Sequence, residues 1–278
     1  MAVTFTPASD VELDVLVEAF NTGYAGYTVP VQLENDLMLR HITQNNIDLT
    51  ASRLAWLDDD IVGVGLLARR EARGWIGGMG IHSAYRRQGI GRQLMNALLD
   101  SARELRLEQV QLEVIEGNDA AFNLYQSLGF EITRRLLILQ CVRLHEVDSD
   151  VTVQRIPAEH ALDYYDAFHT VPNPWQRERE SLRVLVASMA GWLAGDADNP
   201  SAYAIGRSTG RVINLADVGF RDGEESALRG LIDYLHRQQP GASAQFANLG
   251  EDDPAWPVLS TLGYEPSMSQ FEMKLRLG

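Results

Sequence analysis

The 278-residue chain contains one cysteine, Cys141, and one lysine, Lys274. A single thiol excludes an intramolecular disulfide framework. In the apolar stretch Leu136 to Val142 it reads as a buried, inert cysteine rather than a nucleophile. Arginine supplies 23 of the 24 basic side chains, a bias of composition from which no function is drawn. No run approaches the ~18 apolar residues that suggest a membrane span. The opening, Met1 to Asp10, has neither a basic segment nor a continuous apolar one, so no secretory signal is expected and the cytoplasm is the expected compartment. Positive charge is scarce overall: 24 basic against 38 acidic residues leave a net of -14. Phosphate backbones and anionic lipid repel such a chain, which argues against nucleic-acid and membrane-surface partners.

What is present suffices for two domains, since a domain typically takes roughly 150 residues. The first half alternates strand and helix signals. Val3 to Thr6 reads as a strand, followed by a helix with its expected cap at Ser9 and apolar residues Val11, Leu13, Leu16, Val17 and Phe20 at helical spacing. A polar helix is expected from Glu34 to about Asn46. A hairpin follows over 53–57 and 61–67, then a glycine-rich strand over Trp75 to Ile81. Leu94, Leu98, Ala102 and Leu105 mark one face of a helix. Gln109 to Val114 alternates as a strand, Asp119 to Leu128 reads as a short helix ended by Gly129, and Phe130 to Val142 is extended. This order implies an α/β (α+β) fold, a mixed twisted sheet flanked by helices.

The second half repeats the landmarks of the first. Ala121 to Glu131 aligns with Ala255 to Glu265 at an offset of 134, with four identities, and Leu94 falls on Leu228 inside a second amphipathic helix, Ser226 to Arg237. Two copies of one fold are therefore expected, 1–147 and 148–278.

Chemistry concentrates in Ile81-His-Ser-Ala-Tyr-Arg-Arg-Gln-Gly-Ile-Gly91. A strand feeds a basic, glycine-containing loop that runs into a helix. Successive backbone N–H groups from Arg87 to Arg92, two glycines and a positive helix end suit a pyrophosphate. The bare alternative is an ordinary helix-start turn with solvated arginines.

Arg86-x-x-Gly89-x-Gly91 resembles the acetyl-CoA pyrophosphate loop of the GNAT superfamily of N-acetyltransferases. The run Leu112-x-Val114-x-x-x-Asn118-x-x-Ala121-x-x-Leu124-Tyr125-x-x-x-Gly129-Phe130 is similar to the strand and helix that follow there. The match covers roughly 75–135 and departs from the pattern at Ser83, where many members have proline. The resemblance implies two tandem GNAT-like domains, acetyl-CoA as cosubstrate, and a role for each matching position. Arg86, Arg87, Gln88, Gly89, Ile90, Gly91 and Arg92 would hold the pyrophosphate. Ile81, His82 and Ser83 would pair with the pantetheine arm, and Asn118 would hydrogen-bond it. The N–H of Ile81 would also stabilise the oxyanion. Tyr125 would protonate the departing thiolate. A core aromatic for Tyr125 and a helix cap for Asn118 are the plain alternatives, the latter compatible with the functional role. No metal is expected.

An amine of ordinary pKa near ~10 must lose a proton before attack. Glu113, Glu116 and His82 are candidate bases, and a water relay is the preferred one. Tyr24, Tyr27 and Pro30 could wall the acceptor site or simply pack. The second copy carries Asp222, Glu224 and Glu225 in place of the basic loop, Leu259 at the position of Tyr125 and Asp252 at that of Asn118. It is expected to be degenerate, a built-in partner of the first, with Trp175, Trp192 and Trp256 serving its core or interface. The expected activity is transfer of an acetyl group to a small-molecule or peptide amine by direct attack through a tetrahedral intermediate, in a monomer or weak dimer. A non-catalytic acetyl-CoA sensor is the alternative.

Overall fold

The structure, a computed structural model, describes residues 2–27, 32–145, 149–196 and 198–278. It divides into two compact units that are discontinuous in sequence. One comprises Met1–Val114, Asn118–Thr133 and Glu272–Gly278, the other Ile115–Gly117 and Arg134–Phe271. The expected boundary at 147/148 falls outside the described residues.

The first unit begins with β1 (Thr4–Pro7), α1 (Leu13–Gly23), α2 (Asn35–Asn45), β2 (Arg53–Leu57), β3 (Asp60–Arg70) and β4 (Arg73–Ile81). It continues with α3 (Ile90–Glu104), β5 (Gln109–Ile115) and α4 (Asp119–Ser127). Its strands run in the order β1-β2-β3-β4-β5, antiparallel except for the parallel β4–β5 pair. Ser9 does not cap α1. Ala8–Asp10 form a 3-10 turn after Pro7, the chain is extended at Val11 and Glu12, and the helix starts at Leu13. On α1, Leu16, Val17, Phe20 and Gly23 are buried. On α3, Leu94, Leu98 and Ala102 are fully buried, as their spacing predicts. Each such leucine contributes about 1.5–3 kcal/mol relative to exposure. Gly65 of β3 makes room for this helix, because a Cβ there would lie 2.5 Å from Leu98 Cδ1.

Two irregularities open the sheet at β4. The ladder with β3 shifts register between Leu66 and Leu67, leaving Gly77 as a bulge between Ile76 and Gly78. Pairing with β5 ends after Trp75↔Gln111, so among the described residues the last residues of β4 have no partner strand on that side. The glycines of β4 have separate spatial causes: a Cβ on Gly77 would strike the Trp75 ring, one on Gly78 the Phe20 ring, and one on Gly80 the backbone of Gly23.

The second unit draws on β6 (Glu131–Cys141), β7 (Val153–Pro157), α5 (Ala158–Ala161), α6 (Tyr165–Phe168), α7 (Arg179–Leu185), β8 (Ala190–Asp196) and β9 (Asn199–Thr209). β10 (Val212–Phe220), α8 (Glu225–Arg237), β11 (Ser243–Gly250), α9 (Ala255–Thr261) and β12 (Glu265–Arg276) follow. Its strand order is β12-β6-β11-β10-β9-β8-β7. The repeat is visible in detail: β10 pairs antiparallel with β9, bulges at Ala216 and pairs in parallel with β11 only up to Leu215↔Phe246. Cys141 and Leu259 are fully buried in its core, Trp175 is fully buried, and Trp192 and Trp256 pack on the core as partly buried residues. Burial raises the pKa of the Cys141 thiol, consistent with an inert side chain.

Candidate active site

The open side of β4 presents two backbone donors. The N–H of His82 donates to the Val62 carbonyl at 2.9 Å. By the alternation of an antiparallel ladder, the N–H groups of Ile81 and Met79 therefore face away from β3, toward the side vacated by β5. The N–H of Met79 donates to the Tyr24 hydroxyl at 3.0 Å. That of Ile81 has no partner among the described residues, and the Ile81 carbonyl accepts from Arg86 Nε at 2.9 Å.

The loop after β4 builds an anion cradle. Ser83–Tyr85 form a 3-10 turn capped by His82, whose Nδ1 accepts from the Ala84 N–H at 3.2 Å. This holds the His82 ring in a structural role. Arg87 and Gly89 take positive φ, 63° and 81°, and α3 starts at Ile90. Among the described residues, none of the amide N–H groups from Arg87 to Arg92 finds an acceptor within the protein; the first bond of the helix runs from Gln93 N–H to the Gly89 carbonyl. The space where a Gly89 Cβ would stand is open, and one on Gly91 would lie 3.6 Å from Leu124 Cδ2. Six unpartnered amides leading into a helix N-terminus form a ready anion site.

The arginines divide their work. Arg86 turns inward, its Nη2 donating to the carbonyls of Gly23 at 3.0 Å and Ala25 at 2.8 Å. It thus ties the end of α1 to the end of β4. Arg87 is exposed, as is Gln88, whose Nε2 donates to the Ala84 carbonyl. Arg92 is exposed and donates to Ser127 Oγ at 2.6 Å.

Three phenols gather beside this edge. Asn118 caps α4, its Oδ1 accepting from the Ala121 N–H at 3.3 Å while its Nδ2 donates to the Tyr27 hydroxyl at 3.0 Å. The Tyr24 ring stacks on Phe20 at 4.5 Å between centroids and meets Tyr27 edge-on at 5.3 Å. Tyr125 is buried against Phe130, and its hydroxyl has no hydrogen-bond partner among the described residues. Burial pushes its pKa well above the ordinary tyrosine value, and the nearby phenols of Tyr24 and Tyr27 act in the same direction. Burial also raises Tyr24, to about 12, against the opposing effect of the Met79 N–H. Both phenols are therefore protonated at neutral pH. Pro30 lies outside the described residues.

Of the carboxylate candidates, Glu113 and Glu116 separate clearly. Glu113 on β5 accepts from the Trp75 indole N–H at 2.7 Å. The Trp75 ring also meets His41 of α2 edge-on at 6.0 Å, which places this carboxylate on the side of the sheet covered by α1 and α2. Glu116 lies just beyond β5, hydrogen-bonded by Ser269 and paired with Arg135 at 2.9 Å, and both hold its carboxyl below the usual range. His41 was not signalled by any motif. Its Nε2 sits 2.9 Å from the bulged Gly77 carbonyl and its Nδ1 3.2 Å from Asn45 Nδ2. Burial lowers its pKa, partly offset by that carbonyl, so it is neutral and serves to hold the bulge.

The second unit fills the corresponding place with its own side chains. Four residues (221–224) connect β10 to α8, against eight (82–89) between β4 and α3. Within this short turn the Glu224 N–H is already bonded to the Arg221 carbonyl. Asp217, directly after the bulge where the first unit has Gly78, is fully buried and accepts from Arg177 Nη2 at 2.6 Å and from Tyr203. His169 Nε2 lies 3.0 Å from it. Burial disfavours its charge, but His169 and Arg177 keep its carboxyl below the usual range.

The splayed strand, the amide cradle and the following helix define a known fold. Residues 17–130 match the family model described as the acetyltransferase (GNAT) family. This segment is a GNAT acetyltransferase domain. The chain is 32% identical over 88 residues to N-alpha-acetyltransferase 30 of Dictyostelium discoideum, covering 30% of this chain and 47% of that protein. It is 49% identical over 53 residues to N-alpha-acetyltransferase RimI of Mycobacterium tuberculosis, covering 19% of this chain and 32% of that protein. The matched region thus spans less than half the length of either relative. A solved tandem GNAT protein from the clavulanic acid biosynthesis pathway superposes with a TM-score of 0.69 at 14% identity, covering 100% of this chain and 99% of that one. The fold is therefore that of a tandem GNAT protein. No helix among the described residues is long and apolar enough to cross a membrane.

Proposed function

We propose that the GNAT domain moves an acetyl group from acetyl-CoA to a primary amine in the cytoplasm, by direct attack through a tetrahedral intermediate. The α-amine of a peptide or protein is the acceptor class favoured by the names of the sequence relatives. The observation that carries the reading is the run of unpartnered amides from Arg87 to Arg92 beside the open edge of β4. Their cradle, with open space above Gly89, fits a pyrophosphate.

When bound, acetyl-CoA supplies an activated acyl carbon and a thiolate leaving group. The amides of the loop and the side chains of Arg87 and Arg92 hold the pyrophosphate. Ile81 at the end of β4 and the two residues that follow it, His82 and Ser83, pair with the pantetheine arm as an added strand would, and Asn118 offers it a further hydrogen bond. Ile81 N–H stabilises charge developing on the thioester oxygen. Tyr125, protonated and with a hydroxyl not otherwise engaged, donates its proton to the leaving sulfur. Glu113, on the α1/α2 side, accepts the proton of the amine through a water relay. The second unit, with Asp217, Arg177 and Tyr203 in the corresponding place and acidic residues at the start of α8, takes no acetyl-CoA.

Calorimetry with acetyl-CoA is expected to give one site per chain. A panel of peptides with different N-terminal residues, followed by mass spectrometry, is expected to reveal acetylated α-amines. Tyr125→Phe is expected to lower kcat by about 10²–10³-fold with acetyl-CoA affinity retained. Two sites per chain would refute the assignment of the second unit. Tight binding with no turnover on any amine would favour the sensor reading instead.

A further inference from the structure

Tyr24 occupies a position that neither packing nor substrate walling explains by itself. Its ring is stacked on Phe20, but its oxygen is drawn to the open edge of β4 by the Met79 N–H. That oxygen lies over Gly78, where a Cβ would come within 3.3 Å of it; glycine keeps the approach clear. An oxygen that accepts from a backbone amide still has its own hydrogen to donate, and no described residue accepts it. On the Met79 side of this edge the protein therefore presents a phenolic O–H in place of a bare amide.

We propose that the Tyr24 hydroxyl is a catalytic hydrogen-bond donor to the thioester oxygen, polarised through its bond from the Met79 N–H. The assignment rests on the acetyl-transfer reading above and adds a side-chain donor to the Ile81 amide. As the amine nitrogen bonds to the acyl carbon, the carbonyl π electrons move to oxygen, and Tyr24 donates a hydrogen bond to that oxygen without transferring its proton. On collapse the carbonyl re-forms, the C–S bond breaks, and Tyr125 supplies the proton to sulfur. The two phenols thus serve different atoms. The raised pKa of Tyr24 is consistent with this division, since a donor must stay protonated. Its oxygen is fixed before substrate arrives, and such preorganisation is what makes a donor effective.

Tyr24→Phe tests the assignment, because phenylalanine preserves the stacking on Phe20 and uncovers the Met79 N–H. Wild type and variant are compared by acetyl-CoA affinity from calorimetry and by kcat on the best peptide from the panel. The expected result is unchanged affinity with kcat lowered about 10²-fold or more, the typical effect of deleting one oxyanion donor. Unchanged or increased kcat would overturn the proposal, showing that the hydroxyl merely covers an amide that donates equally well by itself. A loss of affinity as large as the loss of kcat would also overturn it, assigning Tyr24 to binding alone. Failure of the underlying reading looks different: the wild type itself then binds acetyl-CoA and acetylates nothing, and the assignment falls with it.

Discussion

Gly80 of β4 and Gly23 of α1 meet backbone to backbone. A Cβ on Gly80 would stand 2.8 Å from the Gly23 carbonyl carbon, and one on Gly23 would stand 3.0 Å from that of Gly80. The contact fixes the end of α1 against the strand, and Tyr24 is the next residue. Gly80→Ala is expected to destabilise the protein by about 1–3 kcal/mol through overpacking against rigid backbone. In thermal unfolding this corresponds to several degrees, at roughly 2–4 °C per kcal/mol for a protein of this size. Turnover is expected to fall as the Tyr24 hydroxyl leaves Met79. An unchanged Tm would contradict the close approach.

The two motif glycines are expected to respond differently to alanine. Gly89 has φ 81°, a left-handed conformation that costs an L side chain about 1–2 kcal/mol, so Gly89→Ala should distort the cradle and weaken acetyl-CoA binding at least tenfold. The Cβ of Gly91→Ala would lie 3.6 Å from Leu124 Cδ2, an ordinary contact in the first turn of a helix. Its affinity should stay within about twofold of wild type, and alanine should slightly favour the helix. Titration calorimetry on both variants checks the contrast; equal losses would count against the backbone-conformation argument.

Stability is expected to carry a histidine component below neutral pH. The folded state holds His41 below its ordinary value by burying it, with the Gly77 carbonyl opposing. Between that lowered value and about 6.5, the unfolded chain binds the proton that the folded one resists, so stability rises with pH across this window and falls as the medium is acidified. His236, also lowered by burial, contributes with the same sign. His41→Gln keeps an N–H donor for Gly77 and removes one titration. The decrease in Tm between pH 7.5 and pH 5 should therefore shrink in the variant without vanishing; an undiminished decrease would assign the effect elsewhere.

Much of the fold was legible because its cues are local. The three-to-four-residue spacing from Leu94 to Ala102 marked α3, alternation marked β5, and Arg86-x-x-Gly89-x-Gly91 marked a loop whose amides from Arg87 to Arg92 have no acceptor among the described residues. What escaped depended on contacts distant in sequence. Arg86 was grouped with the pyrophosphate ligands by its place in the Arg86-x-x-Gly89-x-Gly91 resemblance, yet its guanidinium also has carbonyls at the end of α1 as acceptors, 61 and 63 residues away. The glycine content of β4 was plain, but its causes, Trp75, Phe20 and Gly23, emerge only when α1 is laid across the strand. The bond between Tyr24 and Met79 spans 55 residues and involves a backbone atom, which leaves no residue-type signature. The cap expected at Ser9 was misplaced because Pro7 and extended residues at Val11 and Glu12 favour a separate turn first.

The last strand is shared unequally. Residues 272–278 belong to the first unit, where the Leu277 N–H donates to the Glu108 carbonyl, while residues through Phe271 belong to the second. Sequence order and structural grouping therefore differ. The residues of the candidate site precede most of the second unit in sequence, but the first unit also takes residues 272–278 from beyond it. A cut after residue 133 would therefore remove part of the first unit itself.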